Sequence, residues 1–508
     1  MRKTLRATFS DVRIPAAVIS LLLSAWVVLL DDVVNSDGIL YLSTAELLAR
    51  GEWKATFEAY RWPLYPLLIS FVSRITSLSF ESSAHVLNAG LTALIVVSFL
   101  TLIRELGGDR KTVIAAAFVV LLYPGLNEYR SFVIRDFGYL AFYLLSVVLF
   151  VKNVKSPQWG FRIGWVIAML VASLFRIEGF VFLFLLPFLQ QLRRATTFPA
   201  KVRVFTTLAI VSFFLVTLVA WWISGATIMP GPTTVASSLA ALLQGLWQNI
   251  TSNISTKLAV IAGQLPDRYS REFAHTAFII ALALIFLVET LVRLTPLHAV
   301  LTCHALYRRL VFPVQGARAI WIWLIILNLG ILAVIMFARL FLTGRFPLAL
   351  SLTVMLAVPF SLSALYEGWR ENRASTIKKN WVFPIVCVFF LVTAAVDELY
   401  SPTSKAHLKE AGTWIRDHTP AQSTFFSNSR VVMFYSGKSA KYAYKKYGWN
   451  ETLDFIKSDK WLGYDYLAFR VKRKQRDQEA VLAEMLGRDP VAQFTNRKGE
   501  KVSIFRVR

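Results

Sequence analysis

Cysteine is nearly missing from this 508-residue sequence, and acidic residues are scarce beside basic ones. The two cysteines are Cys303, in a basic stretch, and Cys387, in an apolar one. Such different surroundings argue against a disulfide between them, and neither stands at a metal-ligand spacing. There is no Walker loop, no zinc-type His pair and no Gly-x-Ser-x-Gly, so the nucleotide hydrolases, zinc hydrolases and serine esterases that carry those motifs drop out. His85, His275 and His304 are scattered singles, better read as interfacial or packed side chains than as ligands. No internal repeat or low-complexity tract occurs.

Charge is thin overall. Only 17% of residues are charged against 56% hydrophobic, and the mean hydropathy is +0.53. These values belong to the membrane class, and an apolar run such as Val204–Trp222 has no place in a soluble chain of this composition. The net charge of +24 comes from 55 Lys and Arg against 31 Asp and Glu. A nucleic-acid partner is the first reading to test against such an excess. It fails on distribution, because the basic residues sit in short clusters between apolar segments.

Walking off the apolar segments gives Ile14–Leu30, His85–Ile103, Val113–Tyr123, Phe132–Val151, Ile163–Phe175 and Phe180–Leu189. Then follow Val204–Trp222, Ala274–Leu291, Ile320–Leu342, Pro347–Leu365 and Trp381–Val396. That is about eleven crossings, three of them short enough to need tilt or burial. The basic start and apolar stretch at Met1–Leu30 lack a convincing small-residue cleavage site, so a retained first span is expected. Basic clusters fall in every second loop, including Arg104/Arg110/Lys111, Lys152/Lys155/Arg162, Arg293/Arg308/Arg309 and Arg370/Arg373. The positive-inside rule then puts the N-terminus in the cytoplasm and the C-terminus outside.

Three outer segments are long. Asp31–Ala84 contains an amphipathic stretch at Asp37–Trp53 and an apolar helix interrupted by Arg74, read as helices lying along the membrane surface. Ser224–Phe273 carries a turn at Pro230-Gly-Pro232. The tail after Val396 is soluble in pattern. Helices are expected at Ala406–Asp417 and Gln478–Leu486, and strands at Ser423–Ser427 and Tyr464–Val471. A hairpin closes it, from Val491–Thr495 to Lys501–Val507 around Asn496-Arg-Lys-Gly499. Residues 1–396 thus form a transmembrane domain, and 397–508 an extracytoplasmic α/β domain.

The most informative window is Asn35-Ser-Asp37-Gly-Ile-Leu-Tyr41. A carboxylate just past the first span lies where a lipid headgroup meets a water-borne molecule, and it can accept a proton from an attacking hydroxyl. The plainer reading is that Asp31, Asp32 and Asp37 cap the next helix. Gly51-Glu-Trp53, Phe57-Glu58 and Arg61-Trp-Pro-Leu-Tyr-Pro66 follow in order. With them the chain resembles the type C glycosyltransferases that use polyprenyl-phosphate sugars, the group containing aminoarabinose transferases and protein O-mannosyltransferases. Asp37 and Tyr41 match the first element and Gly51-Glu52-Trp53 the second. Glu58 and Arg61 match more loosely. Gly38 stands where the family often has a second acid, which argues against a protein mannosyltransferase.

Further elements fit the resemblance. Tyr123-Pro-Gly-Leu-Asn-Glu128 through Arg135-Asp136 is similar to the family's second external segment, although a local Arg–Asp pair is an equal reading. Arg176-Ile-Glu178-Gly179 is similar to its Arg-x-Glu-Gly, where an ion pair holding two helices is the simpler role. Thr343-Gly-Arg345-Phe-Pro347 is similar to its Arg-Tyr-x-x-Pro, with Arg345 able to grip a phosphate or to snorkel toward headgroups.

The resemblance implies an all-α polytopic membrane protein and an inverting transfer of one sugar from a polyprenyl-phosphate carrier to an extracytoplasmic glycan, lipid or protein. Asp37, Asp136 and Glu58 would be the catalytic or positioning acids. Tyr41, Arg61, Tyr65, Glu128, Arg135, Arg176, Glu178 and Arg345 would bind substrate. No cofactor is required by this reading, and a divalent metal bridging Glu58 to a distant His is the one addition it leaves open. The partners expected are the lipid-linked sugar, its acceptor and membrane lipids, without nucleic acid. A flippase of lipid-linked glycans is the rival, but it should show matching repeats or broken helices. A ligase or polymerase of O-antigen type would favour a large late loop over an acidic first one.

Overall fold

The computed structural model describes residues 11–30, 33–194, 251–265, 267–314, 316–373, 381–399, 405–438, 447–473 and 479–508, with isolated residues 199, 244, 248 and 475. The expected span Val204–Trp222 and the turn at Pro230-Gly-Pro232 lie outside these residues.

The described chain is mainly helical. After α1 (Arg13–Leu30) the first long connection holds α2 (Ser36–Ala49), α3 (Trp53–Ala59) and α4 (Leu64–Thr76) before α5 (Phe80–Glu105). Next come α6 (Arg110–Leu121), α7 (Pro124–Asn127), α8 (Asp136–Lys155), α9 (Trp159–Phe175) and α10 (Gly179–Arg194). Helices α11 (Arg268–Leu294), α12 (Pro296–Tyr307), α13 (Ala317–Arg339), α14 (Leu348–Val354), α15 (Val358–Arg373) and α16 (Val382–Leu399) follow. The tail contains α17 (Ala406–His418), β1 (Phe425–Ser427), α18 (Arg430–Ser436), α19 (Trp449–Lys457), β2 (Tyr466–Val471), α20 (Glu479–Leu486), β3 (Ala492–Thr495) and β4 (Lys501–Arg506).

Six described helices are long and apolar enough to cross a membrane: Arg13–Leu30, Phe80–Glu105, Asp136–Lys155, Tyr269–Leu294, Ala317–Arg339 and Leu348–Glu371. Shorter apolar helices occur at Leu64–Thr76, Trp159–Phe175, Gly179–Gln191 and Val382–Val396. Helix α1 explains why length is not the only signal. Its leucines point outward, Leu29 being 81% exposed, while Ser20 is 0% exposed. In water that arrangement is upside down. In lipid it is expected, because small polar residues let helices approach and apolar ones face the acyl chains.

The chain divides into two compact units. One comprises Met1–Arg13, Ile95–Val120 and Tyr139–Cys387, and the other comprises Ile14–Leu94, Leu121–Gly138 and Val388–Arg508.

In the first unit, Leu282, Leu332, Met336, Leu342 and Leu350 form a buried cluster from α11, α13 and α14. Polar groups join α13 and α14 to α8. Asn328 Nδ2 donates to Tyr143 Oη at 3.0 Å, Tyr143 Oη lies 3.1 Å from Thr353 Oγ1, and Trp321 Nε1 donates to the Thr353 carbonyl at 2.7 Å. Every member is paired, which is the condition for a buried polar network to stabilise.

The alternation of basic loops misplaces one segment. Arg293 was expected in a loop with Arg308 and Arg309, on the face opposite Thr343–Pro347. Instead its guanidinium lies against Gly344, so close that a Cβ built there would be 2.1 Å from Cζ. The reason is α12. Thr295 takes a left-handed φ of 61° and Pro296 starts a new helix. The chain therefore turns back where a loop was expected, and Cys303 is helical. At 12 residues, with His298, Thr302 and His304 along it, this helix is too short to stand out as a crossing.

In the second unit, the tail builds a sheet of order β1-β2-β4-β3, with β1 and β2 parallel and the others antiparallel. The hairpin pairs Thr495 with Lys501 across the expected turn, where Gly499 supplies a φ of 75°. Phe426, Leu467, Phe469, Phe505, Ile456 and Leu482 form its core with α19 and α20. Two further helices, α18 and α19, were not anticipated.

The amphipathic stretch expected over Asp37–Trp53 is different in the structure. Helix α2 stops at Ala49, Gly51 turns the chain with a φ of 77°, and Trp53 begins α3. Ile39, Leu42, Ala45 and Leu48 are buried, and so are Tyr41, Ser43, Thr44 and Leu47, so α2 is enclosed on most of its circumference. The expected span Phe132–Val151 also starts late, at Asp136, because residues 124–135 fold as a short helix and turns.

Candidate functional site

Within the second unit, the segments that carry Asp37 and Asp136 are tied together through the backbone. Asn35 precedes α2 in extended conformation, with φ −72° and ψ 159°, but its side chain does not cap that helix. Its Oδ1 accepts the Val133 backbone N–H at 2.8 Å. Gly38, one turn on, packs in the same contact. A Cβ there would lie 2.8 Å from Val133 Cβ and 2.8 Å from Asn35 Oδ1. The missing second acid therefore has a steric cause, since no side chain fits at position 38.

Asp37 is half-buried in the first turn of α2, and Asp136 is buried at the first residue of α8. Both positions suit an anion, since free backbone N–H groups point toward it. Tyr41, one turn after Asp37, stacks edge-on with Tyr60 at 5.4 Å and Tyr65 at 5.2 Å. Burial, and then Tyr60, push the Tyr41 phenol far above its ordinary value; Arg135 opposes, while Asp136 and Asp37 add to the rise. Tyr60 is also raised by burial, with Arg135 opposing. Both phenols thus stay neutral donors at physiological pH. The Arg135 guanidinium lies over the Tyr60 ring at 5.8 Å.

The other expected residues separate by exposure. Tyr65 is 1% exposed and its hydroxyl donates to Asn88 Oδ1 at 2.9 Å, while Asn88 Nδ2 donates to the Phe132 carbonyl at 2.8 Å. It has no surface to offer a ligand and instead braces α4 against residues 121–135. Glu58, Arg61 and Glu128 are exposed.

Sequence reasoning missed Arg130. Its side chain is fully buried. Nη1 donates to the Ser20 carbonyl at 2.9 Å and to Ser24 Oγ at 2.7 Å, and Nε donates to Asn127 Oδ1 at 2.8 Å. It ties residues 121–135 to α1. The signal available was the Ser20/Ser24 pair, one turn apart in an apolar helix. The tail reaches the same region: Tyr435 Oη accepts the Val34 N–H at 3.0 Å and donates to Glu81 Oε1 at 3.2 Å. Arg430 Nη1 donates to the Ser36 carbonyl at 3.5 Å.

The first unit holds a cluster of arginines. Arg176, at the end of α9, pairs with Glu178 at 2.5 Å, the ion pair anticipated for that motif. Gly179 permits the tight link, since a Cβ there would sit 2.8 Å from the Ser173 backbone nitrogen. The Arg176 guanidinium lies over the Phe346 ring at 4.8 Å, and that of Arg339 lies over it at 5.3 Å. Phe346 follows Arg345, and Arg293 packs on Gly344. Four arginines, 176, 293, 339 and 345, thus converge on one loop with Glu178. Planar guanidiniums held by an aromatic ring suit a phosphate.

Among the described residues no group of three His, Cys, Asp or Glu side chains could hold a metal ion.

No protein-family model matches the sequence, and a search of curated proteins finds no match. Among solved structures, the chain is similar to the oligosaccharyltransferase of Archaeoglobus fulgidus in complex with Zn and sulfate. That match has 14% identity and a TM-score of 0.52, over 93% of this chain and 69% of that one. The same enzyme tethered to an acceptor peptide containing the NVT sequon matches at 17% identity and a TM-score of 0.44. There the match covers 86% of this chain, which spans 59% of the enzyme's length. ArnT from Cupriavidus metallidurans bound to undecaprenyl phosphate matches at 14% identity and a TM-score of 0.40, over 98% and 97% of the two chains. The first of these carries the assignment of fold: the chain shares the fold of that oligosaccharyltransferase.

Proposed function

We propose that this fold serves a type C membrane glycosyltransferase, which moves a sugar from a polyprenyl-phosphate carrier to an extracytoplasmic acceptor with inversion. The observation that carries the reading is the half-buried acid Asp37, at the head of an enclosed helix and tied through Asn35 to the segment that delivers Asp136. The motif resemblance around Asp37, Tyr41 and Trp53 supports it. In this reading about eleven helices cross the membrane. Helices α2 to α4 line its outer surface, the N-terminus is cytoplasmic and residues 397–508 are extracytoplasmic.

The acceptor hydroxyl attacks the anomeric carbon from the face opposite the phosphate. A carbon–oxygen bond forms there as the bond to the phosphate oxygen breaks. Asp37 takes the hydroxyl proton. The lipid phosphate leaves with the bonding electrons, and it needs positive charge more than a proton. Arg61, in the same unit as Asp37, would supply that charge, and the motif resemblance adds Arg345 to the phosphate-binding residues. Asp136, Arg135 and Glu58 would position sugar or acceptor, and Tyr41 would donate a neutral hydrogen bond.

The test uses purified full-length protein, a radiolabelled polyprenyl-phosphate sugar and cell-envelope acceptors. Asp37→Asn is expected to abolish transfer while the protein still binds the donor lipid. Undiminished transfer in that variant would remove Asp37 from the mechanism. Lipid translocation without a new glycosidic bond would favour a flippase.

A further inference from the structure

We infer that a basic cavity at the edge of the tail sheet is a subsite for an anionic saccharide on the acceptor, a sugar bearing a phosphate or carboxylate. The inference deepens the proposed transferase reading and rests on it. The cavity, about 230 Å³, is lined by Ser36, Arg430, Tyr447, Trp449, Arg470 and Lys472, among others. Three of its lining residues are cations and none is acidic.

Its floor is built rather than accidental. Asn428 accepts the Arg470 N–H at 2.7 Å and donates to the Arg470 carbonyl at 3.2 Å, extending the β1–β2 ladder under the cavity. Glu500 pairs with Arg470 and orients it. The Lys472 ammonium has no ion-pair partner among the described residues. Among the described residues two buried polar atoms lack partners as well, the Trp449 indole nitrogen and the Ser429 hydroxyl, and both residues line the cavity. Ser429 is 4% exposed. A buried donor without a partner costs about 1–3 kcal/mol, so it points to a group that arrives from outside.

Chemistry and place narrow the ligand. Cations call for an anion, while Tyr447 and Trp449 offer flat apolar faces and a donor, as a sugar ring with hydroxyls requires. Typical drug-sized pockets are ~300–1,000 Å³, so this one suits a single sugar residue rather than a chain. Ser36 identifies the acceptor side. It lines the cavity, and its neighbour, about 3.8 Å along the backbone, is Asp37, which must meet the acceptor hydroxyl.

The experiment is calorimetric titration of the full-length chain in zwitterionic nanodiscs. The probes are glucose 6-phosphate, glucuronate, glucose and inorganic phosphate. The two anionic sugars are expected to bind, glucose and phosphate each at least about tenfold more weakly. Lys472→Ala, at an exposed strand end, should weaken the anionic sugars about tenfold, and Trp449→Phe should weaken them while keeping the ring. The inference is overturned if no anionic sugar binds, if neither variant changes binding, or if phosphate alone binds as well as glucose 6-phosphate. Donor cleavage measured on the same sample separates the two readings. Cleavage that needs Asp37, without sugar binding, removes the subsite alone; binding without cleavage removes the transferase assignment.

Discussion

Asn35 spends its side-chain carbonyl on the backbone of Val133, 98 residues away, instead of on the helix it precedes. That single bond at 2.8 Å fixes the residues before Asp37 against the turn segment before Asp136. The geometry of the two acids is thus set by an uncharged residue that takes no part in proton transfer.

Replacing it should therefore damage the site without altering its charge. Asn35→Ala leaves the Val133 N–H buried and unpaired, a loss of about 1–3 kcal/mol. A lowered thermal midpoint with a lowered transfer rate is expected, and Asn35→Asp, which keeps an acceptor, should recover most of the midpoint. Equal midpoints for wild type and Asn35→Ala would show that the bond is dispensable.

Gly38 makes a second, steric prediction. Gly38→Ala puts a Cβ 2.8 Å from Val133 Cβ, and relieving such overpacking typically costs about 1–3 kcal/mol. Gly38→Asp, with a larger side chain at the same contact, should be less stable still and no more active. Thermal unfolding of both variants in detergent, alongside transfer rates, checks this.

Arg293 and Gly344 should behave as one unit. Gly344→Ala forces the guanidinium aside, which costs little stability because the far end of an arginine can swing. Donor affinity should fall in Gly344→Ala and in Arg293→Ala, and the double variant should be no worse than the poorer single one. Additive losses would mean that the two act separately.

Asp465 gives a pH signature in the tail. Its carboxylate accepts the Thr424 N–H at 2.7 Å and the Thr424 hydroxyl at 2.9 Å, and these bonds, the backbone one first, lower its pKa. The stabilisation is complete above the ordinary carboxylate value of about 3.9 and disappears as pH falls through the lowered folded value. Asp465→Asn should melt earlier than wild type at neutral pH, and the gap should close on acidification. A constant gap across that range would contradict the linkage.

Much of this molecule is legible in its sequence, and the remainder fails for identifiable reasons. Long apolar helices such as α5, α8 and α13 announce themselves because hydropathy sums over many residues. The hairpin around Asn496 and Gly499 does so because alternation and turn residues agree. Helix α12 does not, being short and dotted with polar groups, and its omission put Arg293 in the wrong loop. The acids at 37 and 136 stood out through their position beside apolar runs. What joins them did not: Asn35, Gly38 and Arg130 act through partners far along the chain, and nothing in spacing records such contacts. Tyr65 was chosen for its motif, yet its hydroxyl is consumed by Asn88.

Tyr435 bears on how the protein can be taken apart. One hydroxyl both accepts the Val34 N–H and donates to Glu81, so phenylalanine at 435 or a chain cut before it removes both bonds. Because Val34 takes part through its backbone, positions 81 and 435 are the pair expected to be inherited together. A tail grafted from a relative would fold as a foreign part unless its partner at position 81 travelled with it.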